Sequence, residues 1–308
     1  MIDNVKLFVN DKHRFENHII NNGLMELSST VNHYTGEVNE YPKRGNDLNL
    51  NVNITQNQAT ILGSIHKYNN IKEDRGNQNY NDFSFCQIVE VIRELEEKYQ
   101  IKNEKDTSIT NLEFGFNLVV EKDPKLIIDS NLLMNNYKSP NKNLKFLGRG
   151  DYKEFQLTDY NIKFYNKSKQ FKLGTHVLRI ELKITRKRFL QKLDIYSLED
   201  LMYNWTYVKL FEDFIDKFEG LMIVDEFDAD LIPEKDYNKL IKYTNPNYWI
   251  SIKGKSPKVI YRLKKDFNIL LNKYDLLKTK NELREKLESK FIELLNSDCS
   301  DSEYREVG

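Results

Sequence analysis

Apolar and polar residues alternate in short runs along the first half of the chain. In "LNLNVNITQ", Leu48, Leu50, Val52 and Ile54 take one phase and Asn49, Asn51 and Asn53 the other, which predicts a strand with one buried face. "ATILGSIHKY" follows a turn-like "TQNQ". It holds Ile61 and Ile65 in one phase and Ser64, His66 and Tyr68 in the other, so a second strand paired with the first is predicted. "ITNLEFGFNLVV" sets Leu112, Phe114, Phe116 and Leu118 against Asn111, Glu113, Gly115 and Asn117. "YNIKFYNK" sets Tyr160, Ile162 and Phe164 against Asn161, Lys163, Tyr165 and Lys167, and "VLRIELKI" sets Leu178, Ile180, Leu182 and Ile184 against Arg179, Glu181 and Lys183. Helical spacing appears in "NDFSFCQIVEVIRELEEKY", where Ile88, Val91, Ile92 and Leu95 follow a capping Asp82 or Ser84, and in "DPKLIIDSNLLMNNY", with Pro124 in its first turn.

Five strands with one apolar side each, and two helices able to cover that side, predict an α+β fold whose open antiparallel sheet carries helices on one face. Beyond Arg186 the pattern turns helical, in "SLEDLMYNWTYVKLFEDFIDKFEGLMIV", "EKDYNKLIKYTN" and a long run from Lys258 to Ser297. The expected organisation is an N-terminal extension over 1–44, the sheet domain over 45–194, a helical region over 195–296 and a flexible tail over 297–308. Short helices around "NPNYWISIKGKSP" suit a helix-turn-helix or winged unit that binds duplex DNA.

A hydrophobic content of 39% over 308 residues is enough for a sizeable core. Cys86 and Cys299 offer neither a disulfide framework nor zinc spacing, which favours a reducing compartment. No apolar run has signal-peptide or membrane-span length, so a soluble, cytoplasmic protein is expected. No GxxxxGK loop or GxSxG elbow is present, which leaves nucleotide-driven and serine-hydrolase chemistry unsupported. Lys plus Arg and Asp plus Glu both number 47, and net charge therefore says nothing about a polyanionic partner. Distribution says more. Between Lys138 and Arg188 stand fourteen bases against four acids, interleaved with Tyr and Phe, a mixture suited to phosphate contact and base stacking. Lys145, Arg149, Lys153, Lys163, Lys169, Arg179 and Lys183 are the candidate DNA contacts.

The polar phases of the predicted strands would gather His66, Glu113, Tyr165, Lys167 and Glu181 on one side of the sheet. Such a set has an economical chemical use. With Mg²⁺ or Mn²⁺ holding a phosphodiester through oxygen and imidazole ligands, a tyrosine can attack phosphorus, leaving a 5′-phosphotyrosyl link and a free 3′-hydroxyl. Lys167, two residues beyond Tyr165, would lower the phenol's pKa or neutralise the phosphate.

These residues also carry a resemblance. "GSIHKYNN", "NDFSFCQIVEVIRELEEKY", "NLEFGFN", "KFLGRGDY", "FYNKSKQ" and "LRIELKITR", in this order over about residues 45 to 200, resemble the rolling-circle replication initiators of plasmids and filamentous phages, in the HUH-like relaxase and nickase superfamily, especially those of Bacteroidetes-type elements. The resemblance implies an HUH/RRM-like sheet domain in a bacterial host, a divalent metal, and a tyrosine that nicks one strand at a replication origin. The partners it implies are single-stranded or origin DNA, host helicase or other replication proteins and a second copy of the chain, with no membrane. The superfamily's His-hydrophobe-His motif would need a histidine at Ser64, so "SIH" keeps only His66, and Glu113 and Glu181 would complete the metal site. In related initiators the nucleophile lies in a segment like "KFLGRG", near which the first tyrosine is Tyr152, so the nucleophile is either Tyr165 or Tyr152. A non-catalytic, sequence-specific DNA-binding protein with a degenerate site is the alternative, and a scaffold with an ordinary wet sheet face is the third reading.

Overall fold

The computed structural model describes residues 1–102, 105–141 and 151–297. In chain order the elements are β1 (Ile2–Val9), α1 (Lys12–Asn22), β2 (Lys43–Asp47), β3 (Leu50–Ile54), β4 (Ala59–Ser64), α2 (Ile65–Lys72), α3 (Phe85–Tyr99) and β5 (Thr107–Val119). Then come α4 (Pro124–Leu126), which runs into a π-helical turn, β6 (Leu132–Asn135), β7 (Tyr152–Gln156), β8 (Tyr160–Asn166), α5 (Lys167–Phe171), β9 (Val177–Ile184) and α6 (Lys187–Gln191). The remainder is α7 (Asn204–Glu219), β10 (Leu221–Ile223), α8 (Glu234–Thr244), α9 (Pro246–Ser251), α10 (Pro257–Lys273) and α11 (Lys278–Leu295). Among the described residues the main sheet has eight strands in the order β2-β3-β4-β1-β5-β9-β8-β7, and β10 with β6 forms a separate ribbon. The pairings β2/β3, β3/β4, β4/β1, β1/β5 and β7/β8 are all antiparallel. The α+β class, with an open antiparallel sheet and a helical C-terminal region, is borne out.

The chain divides into two compact units. Among the described residues, one comprises 1–115, 181–211 and 291–297; the other comprises 116–180 and 212–290. Neither expected boundary, at 44 or at 194, falls where these units divide. Residues 1–44 are no extension, because β1 lies between β4 and β5 in the sheet. Its apolar residues Ile2, Val5, Leu7 and Val9 are all buried, but their spacing is three, two and two, and the broken alternation hides the strand.

In the first unit, β4 ends at Ser64, two residues before His66. Ile61 and Ile65 are four apart, a spacing that a helix and a strand both satisfy. Ser64 decides between them: its hydroxyl accepts a hydrogen bond from the Lys67 N–H at 3.0 Å and caps α2. His66 and Tyr68 therefore lie on a helix and are buried, at 2% and 1% exposure, rather than on the wet face of a strand. The amphipathic helix α3 begins at Ser84, whose side chain and that of Gln87 cap each other's backbone. Its Ile88, Val91, Ile92 and Leu95 are buried as their spacing predicts. Cys86 is buried in the first turn of α3, and Cys299, the other cysteine of the chain, lies outside the described residues.

In the second unit, the stretch expected to be one helix from Asp123 onward gives way to strand β6 at Leu132. There Leu132, Met134 and Asn135 pair with β10. Helices α8, α9 and α10 pack around Trp249, with Leu240, Tyr243, Ile252, Phe267, Leu270 and Leu271 buried beside it. The indole N–H donates to the Tyr243 carbonyl at 2.7 Å, which satisfies the one polar atom this core contains on that ring. The long C-terminal helical pattern is broken in two, α10 and α11, and Leu276 between them is buried in the same core.

Candidate metal centre and tyrosine pair

Asp3, Glu113 and Glu181 belong to the first unit and come from β1, β5 and β9, three consecutive strands in the sheet order. One carboxylate oxygen from each lies within 4.8 Å of the others. The local sequence explains how. Ile2 faces Phe114 and Val5 faces Leu112 across the β1/β5 pairing, so Asp3 and Asn4 together oppose the single residue Glu113. This bulge resets the alternation. Apolar pairs stand on both sides of it, and Asp3 is left on the side of Glu113.

The polar side of these central strands is not wet. Asp3 is 4% exposed and Glu181 1%, while Glu113 is partly buried, so the point where the three acids meet is largely shielded where a half-exposed face was expected. Both oxygens of Asp3 are held: the Ser64 hydroxyl donates to one, and the Asn79 side-chain amide donates to the other at 2.6 Å. Glu113 pairs with the Lys183 ammonium at 2.8 Å. Three carboxylates at this separation repel by ~3.5 kcal/mol per pair at an effective dielectric of about 20. A buried cluster of this kind is stabilised by a cation. The donors are all hard oxygens, a set that fits Mg²⁺ or Mn²⁺.

His66 is placed in an amide network. Asn70 Nδ2 donates to the Gln78 carbonyl at 2.8 Å, which fixes the orientation of that amide. Asn70 and Asn81 then exchange hydrogen bonds at 2.8 and 3.0 Å, so the Asn81 oxygen must be the atom 2.9 Å from His66 Nε2. His66 therefore donates from Nε2, and the lone pair of its neutral form is on Nδ1. The ring stacks on Phe83 with centroids 4.7 Å apart and planes at 4°. His66 is not a member of the three-carboxylate group, and it is tied to the group's surroundings through Ser64, two residues before it.

The tyrosines belong to the second unit. Tyr152 and Tyr165 are directly opposite each other across β7/β8, with ring centroids 6.2 Å apart. The Tyr152 hydroxyl donates to Glu154 at 2.9 Å. Lys167 does not continue the strand: Asn166 caps a helix there and Lys167 opens α5. At 1% exposure its ammonium is 5.0 Å from the centroids of both Tyr165 and Phe171, a cation–π position.

Among the candidate DNA contacts, Lys145 and Arg149 lie outside the described residues. Lys153 donates to the Leu132 carbonyl at 2.7 Å, and burial pushes its pKa down. Arg179, 3% exposed, donates to Asn117 at 3.2 Å. Lys183 is the partner of Glu113, and Lys169, itself exposed, pairs with Asp151 at 3.1 Å. Lys163 stands half-buried on β8. Sequence reasoning missed Asp3, Asn79 and the role of Ser64. The alternation of Val5, Leu7 and Val9 in "VKLFV" was the signal for a strand beginning just after Asp3.

No family model matches the chain, and no curated protein does. A solved structure of the rolling circle replication initiator protein from Geobacillus stearothermophilus is similar to it at 13% identity, with a TM-score of 0.40, over 74% of this chain and 87% of that one. A likeness at that level adds no weight to a functional reading. Among the described residues, no helix is long and apolar enough to cross a membrane.

Proposed function

We propose that the chain is a replication initiator that binds origin DNA and nicks one strand by metal-assisted attack of a tyrosine. The observation that carries this reading is the convergence of Asp3, Glu113 and Glu181, three acids from separate strands, on one buried point. A Mg²⁺ or Mn²⁺ ion there would neutralise the phosphodiester and the leaving alkoxide. His66, whose Nε2 lies 2.9 Å from Asn81 Oδ1, would be the imidazole ligand beside the carboxylates. The nucleophile is Tyr165 or Tyr152. Its oxygen forms a bond to phosphorus, the bond from phosphorus to the 3′-oxygen breaks, and the 3′-hydroxyl leaves with a proton while the 5′-phosphate stays on the protein. The experiment is nicking of supercoiled DNA carrying the element's origin, in Mn²⁺ and in EDTA, with labelled single-stranded DNA used to trap the adduct and mass spectrometry to locate it. Metal-dependent nicking with an adduct on Tyr165 or Tyr152 supports the reading; an adduct on another tyrosine replaces that assignment, and no nicking at all rejects the enzyme.

A second reading, a sequence-specific DNA-binding protein with a degenerate site, is favoured by the Lys183 ammonium already seated on Glu113 and by serine at position 64. It expects origin binding that metal does not change, with no nicked product.

A further inference from the structure

The cations expected to meet DNA are largely occupied within the fold, whereas a different set stands unengaged. From Asn245 to Lys265 the chain contains six bases and no acid. Lys253 and Lys255 are exposed in the turn before α10, and Lys258, Arg262 and Lys265 are exposed along α10 itself. None of these five side chains makes a hydrogen bond or ion pair with another described residue. Their spacing is not accidental to the helix: positions 258, 262 and 265 are four and three apart and share one stripe, while Leu263, Phe267, Leu270 and Leu271 turn the opposite stripe into the Trp249 core. The nearest acid, Asp266, faces aside, bound to Lys239 at 2.9 Å and to the Tyr243 hydroxyl at 2.9 Å.

We infer that the turn before α10 and the solvent stripe of its first half form a surface for the backbone of duplex DNA. This deepens the nucleic-acid reading above and rests on it only for the choice of polyanion. Five unpaired cations along a rigid helix and its leading turn neutralise phosphate without first breaking an internal ion pair. The helix follows two shorter ones, α8 and α9, and is held by its apolar stripe with its N-terminal half outward, the attitude in which helices enter a major groove. Single strands are bound by rows of aromatic platforms, and on this stripe Tyr261, 67% exposed, stands alone among lysines and arginine.

The test is the salt dependence of binding by the full chain, in EDTA so that no cleavage occurs, to a fluorescent duplex of random sequence. Five phosphate contacts give a slope of log K against log salt of about −4.5, and the double variant Lys258→Gln, Arg262→Gln brings it about 1.8 units closer to zero. Both positions are solvent-exposed, and a circular dichroism melt matching wild type confirms folding. An unchanged slope, tighter binding to oligothymidine than to duplex, or binding to anionic lipid vesicles in place of duplex overturns the inference. Nicking is read separately: its absence would reject the nickase and leave this surface standing.

Discussion

Replacing Asp3 by asparagine separates the two things the carboxylate cluster does, repel itself and hold a cation. Asp3 lies within 4.8 Å of both Glu113 and Glu181, so two repulsive pairs, roughly 7 kcal/mol gross at an effective dielectric of about 20, involve it. Asparagine removes that repulsion and retains the shape. It also keeps one acceptor oxygen where the carboxylate had two, so either Ser64 or Asn79 loses its partner, at a cost of about 1–3 kcal/mol. Even with the repulsion halved by screening and by Lys183, the relief matches or exceeds the cost. Metal-free Asp3→Asn is therefore expected to melt no lower than wild type. For 308 residues each kcal/mol moves the midpoint by roughly 1.5 °C. Manganese at a hundred times its Kd should raise wild type by about 2.7 kcal/mol, or roughly 4 °C, and should barely move the variant. Thermal melts in EDTA and in Mn²⁺ read both numbers. A metal-free variant that melts several degrees below wild type would show the carboxylate to be a structural partner rather than a strained ligand. Equal manganese shifts in the two proteins would remove Asp3 from the site.

Three further outcomes are expected. Burial first, and Glu199 second, raise the Glu96 carboxyl to about 7 from its ordinary 4.5; the stability this gives is present below pH 4.5 and lost as pH rises through 7. Glu96→Gln should flatten that loss, gaining roughly 1–3 kcal/mol at pH 8, and parallel denaturant titrations at pH 5 and pH 8 would show it. Lys153→Met should leave the salt slope of DNA binding unchanged, because its ammonium serves the Leu132 carbonyl inside the fold; a slope reduced by about one unit would return it to the interface. Trp249→Ala should cost about 3–5 kcal/mol and release amide protection in α8 to α10 ahead of α3, as measured by hydrogen exchange.

What could be read in the sequence, and what could not, follows from where strict periodicity survives. Glu113 and Glu181 sit in unbroken alternations, "NLEFGFN" and "LRIELK", and the fold brings both to one point with no correction of phase. Asp3 belongs to the same point, yet it is reached through a bulge, and a bulge is by construction the place where period two fails. Ser64 is legible as a departure from a histidine motif but not as a donor to Asp3, since that contact joins residues 61 positions apart. His66 shows the limit of spacing itself: four-residue intervals serve helix and strand alike, and a single capping hydroxyl moved the residue from a wet face to a buried network. The error over charge has the same origin. Composition counts cations, but whether a cation is available depends on which acids and carbonyls the fold lays beside it, and between Lys138 and Arg188 several are spent holding strands together. Where a run of bases has no acid for twenty residues and its apolar residues fill only one stripe, as in "SIKGKSPKVIYRLKK", local sequence already determines exposure. The cations of this stretch are therefore available to a polyanion, as several of those between Lys138 and Arg188 are not.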